Sequence, residues 1–154
     1  MKNPDRPPDR WSDVEGAPSP LGATWSPRSR AWNFALYTKH ATGVTLLLYG
    51  ADDLVEPLYR FVLDHLANKS GRVWHCRVHE DEIPGACYYA YRVDGPFDPA
   101  AGLRFDRDKI LLDPYARGVF FPPGFDREAA KAVGSNAGRA PLGILPCCAT
   151  PRLA

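Results

Sequence analysis

Proline and glycine interrupt this chain so often that no long helix fits between them. There are 16 prolines and 13 glycines among 154 residues, close to a fifth of the total. Proline withholds the amide hydrogen that a helix interior requires, and both residues favour turns. The runs between them are short and rich in aromatic, β-branched and aliphatic side chains. In residues 32–37, Trp32, Phe34 and Leu36 alternate onto one face, the period of a half-buried strand. Residues 44–49 (VTLLLY) are too short for a helix and suit a strand. Residues 58–63 and 72–78 follow, the second introduced by the turn chemistry of Asn68, Lys69, Ser70 and Gly71. The strongest strand signal is residues 86–93, entered through Pro84-Gly85 and left through Asp94-Gly95-Pro96. Short strands at this spacing predict an all-β chain built on an antiparallel β-sandwich.

The expected organisation is a disordered or extended lead-in over residues 1–20, the sandwich over 21–95, and a further segment over 96–118. Residues 119–154 are expected to be a mostly irregular linker and tail. One short helix fits residues 126–132, where Asp126 has the chemistry of an N-cap. The run from Gly134 to Gly143 reads as a connector that no further element receives, which suggests a fragment or an early stop in the reading frame.

A formal net charge of +1 offers no electrostatic reason to bind nucleic acid or an anionic membrane. The longest apolar run is far below the length of a membrane span, and the first residues hold no signal-peptide core. A cytoplasmic protein is expected, and the glycosylation pattern Asn68-Lys69-Ser70 is then a chance match. Cys76, Cys87, Cys147 and Cys148 fit a reducing compartment; the adjacent pair can bridge only through a strained vicinal disulfide. Cys76 and Cys87 either face each other across a hairpin or are buried thiols, and the cytoplasmic setting favours thiols.

No constellation for catalysis emerges, and neither cofactor nor metal is expected. His75 and His79 have the i, i+4 spacing of a helical zinc site, but on a strand four residues span about 13 Å. Asp52-Asp53 and Glu80-Asp81-Glu82 are adjacent acids in turns, without the separation that glycoside hydrolysis needs. The glycine-rich run lacks the Gly-Lys-Ser/Thr ending of a phosphate loop. Among the rings, Trp32, Trp74, Tyr89 and Tyr91 fall at core-facing positions. Tyr88 points the other way and is the candidate for stacking on a sugar.

Several motifs stand in one order along the chain. Pro20-Leu21-Gly22-Ala23-Thr24-Trp25 precedes the strand at Asn33-Phe34-Ala35-Leu36-Tyr37, and Tyr89-Ala90-Tyr91-Arg92-Val93-Asp94-Gly95-Pro96 follows. Gly102-Leu103-Arg104-Phe105 and then Lys109 through Arg117 (KILLDPYAR) come next. This order resembles the isoamylase-type glycogen-debranching enzymes of glycoside hydrolase family 13, with their "YxYRxDGP" signature and "GxRFNPxKLLLDPYAR" segment, Asp106-Arg107 standing here in place of Asn-Pro.

That resemblance implies an immunoglobulin-like sandwich similar to carbohydrate-binding module family 48, followed in the family by a catalytic barrel absent here. The implied role is a non-catalytic N-terminal module of an enzyme that hydrolyses α-1,6 glucan branches. A stand-alone glycan-binding adaptor or a generic immunoglobulin-like interaction domain is the alternative. Lys109, Leu111, Asp113, Pro114 and Tyr115 are then expected to dock on that barrel, because Ile110, Leu111, Leu112 and Tyr115 cluster beyond the sandwich. The partners are that barrel and, weakly, α-glucan. The loop at residues 52–57 carries no ring where stand-alone glycogen-binding relatives place a sugar-stacking Trp.

Overall fold

Strands form where apolar side chains alternate, and two sheets pack those alternating faces together. The computed structural model describes residues 15–145; Cys147 and Cys148, and most of the lead-in, lie outside the described residues. Eleven strands appear among those described. They are β1 (Gly22–Ser26), β2 (Ala31–Tyr37), β3 (Gly43–Tyr49), β4 (Tyr59–Val62), β5 (Lys69–Ser70) and β6 (Val73–His79), followed by β7 (Tyr88–Asp94), β8 (Phe97–Asp98), β9 (Leu103–Arg104), β10 (Val119–Phe120) and β11 (Leu142–Ile144). One sheet has the order β1-β2-β6-β5 and the other β10-β11-β7-β3-β4, while β8 and β9 form a separate hairpin. Every pairing is antiparallel.

The main core lies between the two sheets. Trp32, Phe34 and Leu36 of β2 and Trp74, Cys76 and Val78 of β6 meet Val44, Leu46 and Leu48 of β3 and Tyr89, Tyr91 and Val93 of β7. This is the expected period-two inward face, and the four rings Trp32, Trp74, Tyr89 and Tyr91 are buried as expected. The unbroken apolar run of β3 has its own cause. Leu47 and Tyr49, on the opposite face, join Ala90, Ile110, Ala140 and Leu142 in a second, smaller core. The second sheet is therefore covered on both faces, as a strand without alternation requires.

That second cover corrects the expected domain boundaries. Residues 119–145 are not a linker. β11 pairs with β7, Gly143 opposite Tyr89 and Ile144 opposite Tyr88, and Leu145 is fully buried in the main core. Gly143 had the look of a flexible connector for a different reason: a Cβ there would meet the Tyr89 ring at 2.5 Å. Glycine in this strand marks close approach of a neighbour. β1 also escaped prediction, since Gly22-Ala23-Thr24-Trp25-Ser26 lacks apolar alternation.

The first sheet has a cover too. Asn33 accepts a hydrogen bond from Ala17 N (2.7 Å) and returns one to Ala17 O (3.0 Å). Gly16 sits so close to the backbone of Cys76 that no side chain fits there. Cys76 and Cys87 are free. They do not face each other across a hairpin, because β6 and β7 belong to different sheets. Helix content among the described residues is limited to 3-10 turns at Glu80–Glu82, Pro99–Ala101 and Arg127–Ala130. The last replaces the expected helix over 126–132, and Asp126 caps it by accepting from Glu128 N at 2.9 Å.

Candidate functional site

Past the hairpin β8–β9 the chain returns to the second sheet. Leu111 and Tyr91 exchange two backbone hydrogen bonds, at 2.8 and 3.0 Å, so residues 109–111 continue along the side of β7 where β11 stops. This placement sorts the five expected docking residues into two groups. Lys109 and Asp113 turn inward and Leu111, Pro114 and Tyr115 outward.

Lys109 is 8% exposed, and its Nζ donates to three backbone carbonyls, Ala129 O (2.9 Å), Ala132 O (2.5 Å) and Gly134 O (2.6 Å). Asn136 completes the junction, accepting from Ile110 N (2.6 Å) and donating to Ile110 O (3.0 Å). Asp113 is buried, with Oδ2 accepting from the Tyr89 hydroxyl (2.8 Å) and Oδ1 from Tyr115 N (2.9 Å). Burial raises its carboxyl above the usual range, against the lowering effect of those two donors. Burial also raises the Tyr91 hydroxyl, with the nearby Asp113 carboxylate adding to the effect. Lys109 and Asp113 thus meet their polar needs inside this chain.

Of the outward group, Leu111 is 42% and Tyr115 58% exposed, and the exposed Phe97 and Val133 line a groove with Leu111. A cleft of about 290 Å³ opens on one side of Leu111, lined by Ile110, Phe125, Arg127 and Arg139. A broader groove of about 900 Å³ opens on the other, lined by Phe97, Arg104, Phe105, Lys131 and Val133. Phe125 packs edge-on to the exposed Phe121, ring centroids 5.0 Å apart. Phe121, Phe125 and Val133 escape the sequence reading because they lie outside the strands, and Phe97 because it opens the two-residue β8, too short for periodicity to carry a signal.

Tyr88 does point away from Tyr89, but its ring stacks on Phe120 at 4.3 Å and 14°. One face that a sugar would use is already covered. In the 52–57 loop, Asp53 Oδ1 accepts from Val55 N (2.9 Å) and Glu56 N (3.0 Å), a local turn whose donors hold the carboxyl below its usual range. Leu54 packs inward onto the second core. Glu80 pairs with Arg30, and Glu82 accepts from His79 N. His75 is buried, its ring nitrogens facing Glu15 O (2.5 Å) and Ser70 Oγ (2.9 Å). Burial pushes the Cys76 thiol up to about 12, far from nucleophilic range. Among the described residues no three metal-ligating side chains gather, and no helix is long and apolar enough to cross a membrane.

Residues 20–116 match the family described as carbohydrate-binding module 48, isoamylase N-terminal domain. A glycogen debranching enzyme of Serratia proteamaculans is 45% identical over 111 residues, which cover 72% of this chain and 15% of that protein. The chloroplastic isoamylase SU1 of Zea mays is 39% identical over 108 residues, 69% of this chain and 13% of its own. The chain therefore spans about a seventh of the length of such relatives. Among solved structures, the pullulanase SAP of Group B Streptococcus superposes with a TM-score of 0.56 at 18% identity, over 82% of this chain and 14% of that one. The catalytic module of the pneumococcal virulence factor SpuA gives 0.55 at 17%, over 82% and 16%. At those identities the structural likeness speaks for the fold.

Proposed function

We propose a docking role for this chain, which belongs to the carbohydrate-binding module 48 family of isoamylase N-terminal domains. In this reading the sandwich is a non-catalytic module whose outward face at Leu111, Pro114 and Tyr115 packs against the catalytic portion of a debranching hydrolase acting on α-1,6 glucan branches. The observation that carries it is the exposed apolar surface around Leu111, flanked by two clefts, on a chain spanning about a seventh of its relatives. A surface of this kind is an association site when its partner is missing. Asp53, Glu80 and Glu82, among the acids in the turns, are engaged in local structure, which supports a chain that does no hydrolysis by itself. A cytoplasmic setting belongs to the same reading and is supported by the free thiols of Cys76 and Cys87.

Weak glucan contact is a second reading, favoured by the family's carbohydrate-binding description. The covered ring of Tyr88 speaks against tight binding there.

Sedimentation velocity at tens of micromolar, a range where exposed apolar surface drives association, tests the docking reading. The parent chain is expected to self-associate and the double variant Leu111→Asp, Tyr115→Asp to run as a monomer. A parent that stays monomeric and monodisperse would count against it.

A further inference from the structure

We infer that the carbonyl oxygens of Ala129, Ala132 and Gly134 form a site for a small ammonium-type cation, which the Lys109 side chain fills from within and which shapes the proposed docking face. An ammonium group has three donors and no acceptor. Here all three find backbone carbonyls, at 2.9, 2.5 and 2.6 Å. The carbonyls belong to one short stretch, the end of a 3-10 turn and the loop beyond it. Gly134 has φ 96°, a left-handed conformation that side chains rarely adopt, at the position that supplies the third oxygen. Convergent carbonyls repel one another unless a cation sits among them, so the loop's shape depends on the charge at its centre. A buried charge is tolerated only when its hydrogen bonds are complete, and these are.

The site lies between the two clefts: Lys109 and Ala130 line both, and Val133 beside the cage lines the larger. Loss of the ammonium would let residues 128–136 relax and the clefts lose their walls. The effect on docking rests on the reading given above; the cation site itself does not.

Amide hydrogen exchange on the full chain tests it with two variants. Lys109→Met keeps an apolar stem without donors, and Lys109→Ala leaves room for a three-carbon amine. Both are expected to speed exchange across residues 128–136 about tenfold, while amides of β3 and β7 hold the parent's rates. n-Propylammonium is expected to restore protection in Lys109→Ala but not in Lys109→Met, and 1-propanol to restore neither. Unchanged exchange in either variant, failure of the amine to rescue, or equal rescue by propanol would overturn the inference. If Lys109→Ala does not fold, Lys109→Met decides by the same local loss, and unfolding of both variants would contradict an effect confined to the loop. Rescue by the amine in a chain that does not self-associate would remove the docking reading and leave the cation site standing.

Discussion

The hydroxyl of Tyr89 donates to the carboxylate of Asp113 across 2.8 Å, tying the central strand of the second sheet to the segment that follows β9. Its neighbour Tyr91 is equally buried, yet its hydroxyl has no hydrogen-bond partner among the described residues. The two tyrosines therefore differ in what their oxygens contribute. Tyr89→Phe removes a donor from a buried carboxylate and is expected to cost about 1–3 kcal/mol, while Tyr91→Phe sheds an unpaired polar atom and is expected to be neutral or stabilising. Urea unfolding of both variants checks this; equal losses would contradict it.

Asp113 also sets a pH dependence. Its folded carboxyl lies above the ordinary range because burial penalises the charge. Between the ordinary carboxylate value, about 4, and the raised folded value, the folded state binds more protons than the unfolded one. The contribution of this group is full below the ordinary value and is lost as pH rises through the folded one. Asp113→Asn, which cannot ionise, is expected to flatten that part of the stability profile. Parallel profiles for parent and variant would contradict the assignment.

Gly143 tests whether residues 119–145 belong to the sandwich. Gly143→Val places a branched side chain where the Tyr89 ring lies at 2.5 Å from a Cβ. Overpacking of this kind costs about 1–3 kcal/mol, and a drop in melting temperature is expected. A variant that melts with the parent would mean that β11 does not pair as described.

These cases show which features were legible in the sequence. β2, β6 and β7 alternate apolar and other residues, so their inner faces and the burial of Trp32, Trp74 and Tyr91 followed from period alone. β11 did not show itself, because it is three residues long and its glycine answers to a ring 54 residues earlier in the chain. Lys109 and Asp113 share one largely apolar stretch with Leu111 and Tyr115, so sequence pattern alone does not separate them. Their inward turn depends on carbonyls and a hydroxyl from distant segments, which no local pattern records.

Sugar affinity follows from the same geometry. Trp74 is 1% exposed inside the core and cannot offer a ring face to glucose. Trp74→Ala is expected to cost about 3–5 kcal/mol of stability, and calorimetric titration of the parent with maltoheptaose to show no binding tighter than about millimolar. Sub-millimolar binding by the parent, lost in a Trp74→Ala variant that melts normally, would reverse this account.

The docking face is tested most directly by hydroxyl-radical footprinting of a chimera. In it this chain replaces the matched region of the Serratia proteamaculans debranching enzyme, to which it is 45% identical. Oxidation of Leu111 and Tyr115 is expected to be high in the isolated chain. In the folded chimera it is expected to fall to the level of buried Tyr89, while exposed Val62 and Leu66 on the far sheet edge and its following loop stay reactive in both. Leu111 and Tyr115 remaining as reactive in a folded chimera as in the isolated chain would contradict the claim that this face is built to be covered.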